Sequence, residues 1–144
     1  MKVLVINGPN LNLLGIREPG IYGNGTYADL CDRIREKAVC LGAEVDFYQS
    51  NHEGALIDKI HEAMGSYDGI VMNPGAYTHY SYAILDALKA VRLPAVEVHI
   101  SDIHAREQFR SVSVTAAACI QQISGLGFEG YCKALEVLAN YFDL

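Results

Sequence analysis

The chain has 144 residues, of which 51% are hydrophobic and 19% are charged, a balance that is ordinary for one globular domain. Its formal net charge at pH 7 is −6 and its lysines and arginines are not clustered, which argues against a surface for nucleic acid or anionic membrane. The apolar N-terminal segment is too short for a signal peptide, and no apolar run reaches the roughly 18 residues of a transmembrane helix. We therefore expect a single domain, residues 1–144, located in the cytoplasm.

Strand and helix patterns alternate from the N-terminus onward. A continuous apolar run predicts the first strand, Lys2–Asn7, and the first long helix is predicted between an N-cap at Thr26 and a terminating Gly42. Further strands are predicted at 44–48, 69–72, 94–100 and 118–123. The other helices are predicted at 81–91 and 128–142, in short pieces within 101–112, and in the segment that places Leu56, Ile57, Ile60 and Met64 on one face.

This alternation predicts an α/β fold in which a parallel sheet is covered by helices on both faces. With right-handed crossovers, the simplest arrangement at this size is a flavodoxin-like, doubly wound, five-stranded sheet. Ligands of such folds bind outside the carboxyl ends of the strands. We therefore expect the site in the segments that follow strands one, three and four, residues 7–22, 73–79 and 97–110.

The first of these segments is long for a connection between a strand and a helix, and long loops in compact domains are usually functional lids or disordered. Within it, Arg17 and Tyr22 are the side chains suited to acid–base work, because a nearby guanidinium favours the ionised form of a phenol. The second segment places the amide of Asn73 and the imidazole of His79 at the end of strand three.

The third segment contains several candidate groups. Glu97 and His99 are two apart on a strand and should point to the same face, so that the carboxylate can orient the imidazole. Ser101 or Asp102 can cap a short helix whose backbone N–H groups would hold a carboxylate. Arg106 and Arg110 are four apart and are expected to share a helical face.

We expect neither a metal nor an organic cofactor. His99 and His104 lack the spacing of a zinc helix, and the lysines lie outside the three segments, which argues against a Schiff base. The cysteines show no CxxC or zinc spacing, so we expect reduced core thiols at all four positions: Cys31, Cys40, Cys119 and Cys132.

The three segments together resemble the signatures of the type II 3-dehydroquinate dehydratases. The matching runs are NGPNLNLLG from Asn7, REP from Arg17, YG from Tyr22, NPGAYTH from Asn73, EVHIS from Glu97 and IHAREQFR from Ile103. The likeness extends over nearly the whole chain. It implies a flavodoxin-like subunit, a dodecamer built as four trimers, and 3-dehydroquinate as the substrate.

The resemblance also implies catalytic roles. Tyr22 would take a proton from C2 of 3-dehydroquinate, with Arg17 stabilising the tyrosinate and closing the lid. The enolate would be held by a water molecule near Asn10. His99, oriented by Glu97, would protonate the leaving C1 hydroxyl, which completes an anti elimination to 3-dehydroshikimate.

The remaining implied roles concern binding. Asn73 and the backbone N–H groups of Ile100 and Ser101 would hold the substrate carboxylate. The ring hydroxyls would be contacted by His79, Arg110 and Asp86, the last reaching in from a neighbouring subunit.

Three alternatives share the fold class. A phospho-receiver needs acidic residues where Asn7 and Asn73 stand, and a flavin carrier needs a loop rich in Ser and Thr after strand one. A catalytically inactive sensor of dehydroquinate is the strongest rival, and intact Arg17, Tyr22 and His99 argue against it.

Overall fold

The structure, a computed structural model, describes residues 1–16 and 18–144. Five strands form one parallel sheet in the order β2-β1-β3-β4-β5. The strands are β1 (Lys2–Asn7), β2 (Glu44–Gln49), β3 (Gly69–Asn73), β4 (Ala95–His99) and β5 (Gln121–Ser124). The chain runs outward from β1 to β2 and then returns to β3, so the direction of winding reverses between β1 and β3. The prediction of a doubly wound parallel sheet is confirmed.

Helices cover both faces of this sheet. They are α2 (Tyr27–Leu41), α3 (Glu53–Glu62), α4 (Tyr82–Val91) and α5 (Glu129–Tyr141), and a further short helix, α1 (Pro19–Tyr22), lies in the loop between β1 and α2. The predicted ends of α2 are confirmed, because Thr26 and Asp29 form a reciprocal capping box and Gly42 ends the helix in the left-handed conformation, with φ +66°. Short 3-10 helices lie at Leu11–Leu13, Gly75–His79, Ile103–Ala105, Gln108–Arg110 and Thr115–Ala118.

Alternate residues of β1, β3 and β4 supply two separate cores. Val3 and Val5 of β1 pack with α2 and α5, whereas Leu4 and Ile6 pack with α3 and α4. Strands buried on both faces read as continuous apolar runs, which is why the first strand is recognisable from its sequence. Within residues 1–16 and 18–144, no helix combines the length and the apolar composition needed to cross a membrane.

Two element boundaries differ from the prediction. The fifth strand is Gln121–Ser124 rather than 118–123, because Thr115–Ala118 forms a 3-10 helix and the edge strand accommodates polar glutamines. Met64 does not belong to the buried face of α3: the helix ends at Glu62, and Met64 is 55% exposed in the turn that follows.

Two further expectations are also wrong in part. Arg106 and Arg110 share no helical face, because Arg106 lies between two 3-10 helices with an extended backbone, at φ −101° and ψ −157°. All four cysteines are unpaired, as expected, but only Cys31 and Cys132 are buried, whereas Cys119 is partly exposed and Cys40 is exposed on α2.

Candidate active site

A cavity of about 160 Å³ lies at the carboxyl ends of β1, β3 and β4, where the topology predicts a ligand site. Most of the predicted site residues line it: Asn10, Tyr22, Asn73, His79, His99, Ile100, Ser101 and Arg110. Glu97 lies behind His99 and is fully buried. Asp86 is exposed on α4 and does not line the cavity. Arg17 lies outside the described residues, so its predicted pairing with Tyr22 stays a prediction.

The ends of β1 and β3 contact each other directly beneath the cavity. The backbone N–H of Gly8 donates to the carbonyl of Asn73 at 2.8 Å. A Cβ on Gly8 would lie 2.4 Å from the carbonyl oxygen of Pro74, so only glycine permits this approach. The contact brings the first loop and the segment after β3 to one edge of the sheet.

His99 and Glu97 form the buried side of the cavity. They are two residues apart on β4, and His99 Nε2 lies 2.9 Å from Glu97 Oε2. Both side chains are almost completely buried. An ionised carboxylate only accepts hydrogen bonds, so Nε2 carries the hydrogen and Nδ1 is the ring nitrogen left to exchange a proton with a bound molecule. As predicted, the two side chains share one face of β4, with the carboxylate against the imidazole.

Three further side chains donate to Glu97. Ser113 Oγ and Gln122 Nε2 each donate to Oε2 at 2.7 Å, and Thr115 Oγ1 donates to Oε1. Burial alone raises the pKa of Glu97, but hydrogen bonding and charge from His99, with the bonds from Gln122 and Thr115, outweigh it and lower the pKa to about 2. Glu97 is therefore ionised at neutral pH, a fixed negative charge next to the imidazole.

Tyr22 contacts a cation, Arg106, for which the sequence predicted no role. Arg106 Nη1 donates to the Tyr22 hydroxyl at 2.7 Å, and the guanidinium carbon lies 5.3 Å from the centre of the Tyr22 ring. Arg106 Nη1 also lies 3.5 Å from Ser101 Oγ. The two residues are 84 positions apart, so no local spacing indicates their contact. The sequence signals for Arg106 were its position after β4, at the edge where ligands bind, and its place in the run IHAREQFR, and neither indicates Tyr22 as its partner.

The binding candidates are held by local hydrogen bonds. Asn10 has a left-handed backbone, φ +71°, and its N–H donates to Asn51 Oδ1 at 3.0 Å. His79 Nδ1 lies 2.7 Å from the carbonyl oxygen of Val112. Arg110 bonds to Glu107 through Nε.

The segment after β4 is fixed by the loop that follows β5. The carbonyl groups of Ile100 and Ser101 accept from the backbone N–H groups of Gly127 and Gly125, at 3.1 and 3.2 Å. Asp102, one of the two predicted caps, accepts from the N–H of His104 at 3.0 Å. The backbone beside His99 is therefore held in place before any ligand arrives.

A metal-binding cluster was not expected, and the described part of the chain contains no group of three or more His, Cys, Asp or Glu side chains arranged to bind a metal ion.

Fold and site together define an α/β protein with acid–base groups at the carboxyl edge of a doubly wound parallel sheet. The family model described as dehydroquinase class II matches residues 1–139. The chain belongs to the class II dehydroquinase family.

Individual relatives agree with this assignment. The chain is 62% identical over 143 residues to a 3-dehydroquinate dehydratase of Caldicellulosiruptor bescii, which covers 99% of each chain, and 58% identical over 140 residues to one of Clostridium acetobutylicum, which covers 97% of each. The crystal structure of a type II dehydroquinase from Butyrivibrio crossotus superposes with a TM-score of 0.94 at 58% identity, covering 96% of this chain and 97% of that one. A 3-dehydroquinate dehydratase-like protein from Bifidobacterium longum is more distant, with a TM-score of 0.73 at 33% identity over 100% of this chain and 99% of that one.

Proposed function

We propose that this chain is a hydro-lyase that dehydrates 3-dehydroquinate to 3-dehydroshikimate by anti elimination through an enolate, in the shikimate pathway of aromatic amino acid biosynthesis. The observation that carries the proposal is that one cavity is lined both by a phenol that contacts a guanidinium and by an imidazole that contacts a buried carboxylate. An elimination needs one group to remove a proton and a second to protonate the leaving group. The names of the similar proteins support the same reaction.

Tyr22 is the proposed general base. Its phenolate takes the proton from C2, next to the ketone, and the electron pair passes to the ketone oxygen to form the enolate. Arg106 donates to the Tyr22 oxygen at 2.7 Å, so a positive charge lies against the atom that accepts the proton. The family resemblance adds Arg17 as a second cation and as the residue that closes the first loop.

His99 is the proposed general acid. It donates a proton to the C1 hydroxyl, which leaves as water while the double bond forms between C1 and C2. Glu97 orients the ring and stabilises its positive charge before the transfer. A water molecule held near Asn10 is proposed to stabilise the enolate oxygen.

The carboxylate of the substrate is proposed to bind the amide of Asn73 and the backbone N–H groups of Ile100 and Ser101. His79 and Arg110, which also line the cavity, are proposed to bind ring hydroxyls. Neither a metal nor an organic cofactor takes part in the proposed reaction.

Asp86 is the proposed contribution of a neighbouring subunit. It is exposed on α4 and away from the cavity of its own subunit, so it reaches a substrate only if subunits associate. The proposed assembly is a dodecamer of four trimers, and the proposed location is the cytoplasm, with residues 1–144 acting as a single domain. Sedimentation should therefore give a trimer or a multiple of it, and a fully active monomer would remove Asp86 from the site.

A turnover assay tests the reaction. The product is a conjugated enone, so its absorbance should rise when the purified chain is mixed with 3-dehydroquinate. Binding of 3-dehydroquinate without any rise would instead identify the chain as an inactive sensor. The intact pairs around Tyr22 and His99 favour the enzyme.

A further inference from the structure

Two asparagines lie side by side under the cavity. Asn7 ends β1 and Asn73 ends β3, and they are partners in the parallel register. Both side chains are buried. They lie on the same face of the sheet as Val5 and Val71, the face that α2 and α5 cover. Buried amides require hydrogen-bond partners, because an unpaired polar group without water is costly.

Tyr131 of α5 connects the two amides. It is fully buried, its hydroxyl donates to Asn7 Oδ1 at 2.7 Å, and the same oxygen accepts from Asn73 Nδ2 at 2.9 Å. Burial raises the pKa of Tyr131, so its hydroxyl keeps its hydrogen throughout the physiological range. The far end of the chain of bonds is Tyr27, whose hydroxyl accepts from Asn7 Nδ2 at 3.3 Å.

The direction of these bonds is fixed by the backbone. The N–H of Gly75 donates to Asn73 Oδ1 at 3.0 Å, and a backbone N–H can only donate, so the oxygen of the Asn73 amide must face Gly75. Nδ2 then faces Tyr131. A phenol has one hydrogen, and because Tyr131 accepts from Asn73 it gives that hydrogen to Asn7.

One hydrogen of the Asn73 amide remains. Nδ2 has two hydrogens, Tyr131 accepts one, and no other described residue accepts the second. Asn73 lines the cavity, where a ligand could supply the acceptor for this second N–H. A reversed amide would instead present its carbonyl oxygen, which repels an anionic oxygen.

We propose that Tyr131 is a positioning residue for substrate binding: the N–H of Gly75 holds the oxygen of the Asn73 amide, and the Tyr131 hydroxyl holds its nitrogen so that the second N–H faces a carboxylate oxygen in the cavity. The proposal deepens the proposed function, because it rests on 3-dehydroquinate binding there through its carboxylate. Tyr131 itself does not line the cavity and acts only through Asn73.

Tyr131→Phe removes the hydroxyl and keeps the ring that fills the core. The carboxylate does not react, so its contacts contribute equally to the ground state and the transition state and affect KM rather than kcat. We expect KM for 3-dehydroquinate to rise about tenfold, the size of one hydrogen bond to a charged group, with kcat within about twofold of the unaltered chain. The matched control is Tyr27→Phe, which removes a hydroxyl at the far end of the same chain of bonds and should change KM less than about twofold.

A double-mutant cycle separates positioning from a general loss of structure. If Tyr131 acts through Asn73, the pair Tyr131→Phe with Asn73→Ala should have the same KM as Asn73→Ala alone. The proposal would be overturned if the KM increases of the two single variants multiplied in the double variant, or if Tyr131→Phe left KM unchanged. Equal losses of kcat in Tyr131→Phe and Tyr27→Phe would also overturn it, because they indicate a structural role.

Two further measurements cover the remaining outcomes. If thermal unfolding shows that Tyr131→Phe does not fold, Asn7→Leu tests the same bonds. This variant removes the acceptor of the Tyr131 hydrogen, which can then compete for the Asn73 amide, so KM should rise at least about threefold. An unchanged KM in Asn7→Leu would overturn the proposal. A crystal structure of the folded variant needs no turnover and should show the Asn73 amide rotated or displaced from Gly75. An inactive unaltered chain would refute the proposed function, whereas an amide that stays in place would refute the role of Tyr131.

Discussion

His99 and Tyr22 line the same cavity but are positioned in different ways. His99 lies on β4, whose backbone pairs with β3 on one side and β5 on the other, and its partner Glu97 accepts four side-chain hydrogen bonds. Tyr22 ends the four-residue helix α1 in a long loop, and its hydroxyl meets Arg106 from a different segment. The proposed acid is therefore preorganised by the sheet, whereas the proposed base depends on a contact between two loops.

The largest expected effect is at the base. Tyr22→Phe removes the group that takes the proton, and positioned acid–base groups contribute about 10²–10⁴-fold, so kcat should fall by that factor while KM changes little. Tyr141→Phe, at the exposed end of α5, is the control and should be as active as the unaltered chain. A near-normal kcat in Tyr22→Phe would exclude tyrosinate as the base and leave His99 to be tested in that role.

Glu97→Gln tests the pair of His99 and Glu97 on β4. The amide keeps the shape of the side chain but removes the charge beside His99, and its NH₂ group faces donors, so kcat should fall about 10–100-fold. Steady-state kinetics measure the change. If kcat is unaffected, Glu97 does not assist His99 as the acid. The contrast between a preorganised His99 and a loop-held Tyr22 would then have no consequence for the reaction.

Glu97→Gln also tests the charge of the Glu97 carboxylate through the pH dependence of the free energy of unfolding. A carboxyl with a folded pKa of about 2 and an unfolded value of 4.5 stabilises the fold fully above about pH 4.5 and loses that contribution, about 3 kcal/mol, as pH falls towards 2. Across this window the free energy of unfolding of the unaltered chain should fall more steeply than that of Glu97→Gln. Denaturant titrations at several pH values measure it, and Glu44→Gln, an exposed carboxylate on β2, should keep the steep dependence.

A smaller effect is expected from Arg106→Met, which keeps most of the side-chain length and removes the cation next to Tyr22. We expect kcat to fall about tenfold, because one charge-assisted hydrogen bond to the phenol oxygen is lost. Arg106→Lys keeps the charge and should recover part of the loss. Equal activity of the two variants would show that the charge at this position does not matter.

No effect is expected from chelation. Incubation with EDTA followed by dialysis should leave kcat and KM unchanged, because the roles proposed for Tyr22 and His99 use side-chain protons alone. Loss of activity that returned with a divalent cation would contradict this.

Much of the fold could be predicted because its signals are local. The buried strand β1 is a continuous apolar run, and α2 begins at a capping box and ends at a glycine, so both are readable from neighbouring residues. The Glu97–His99 pair was predictable for the same reason, because residues that are two apart on a strand point to the same face.

The start of β5 was misjudged for the opposite reason. Thr115–Ala118 turns into a 3-10 helix, and Thr115 at its start bonds to Glu97 on another strand. Gln122 of β5 donates to the same carboxylate. Their conformations depend on partners that the local sequence does not contain.

The sequence by itself determined the order of the strands and helices, the edge of the sheet that carries the site, and the identity of most residues that line the cavity. Only the tertiary structure decided which of them are partners: Arg106 with Tyr22 across 84 positions, and Tyr131 with Asn73 across 58. The physical reason is that periodicity and capping are set by bonds a few residues apart. A contact between segments distant in the chain depends instead on how the crossovers fold back over the sheet.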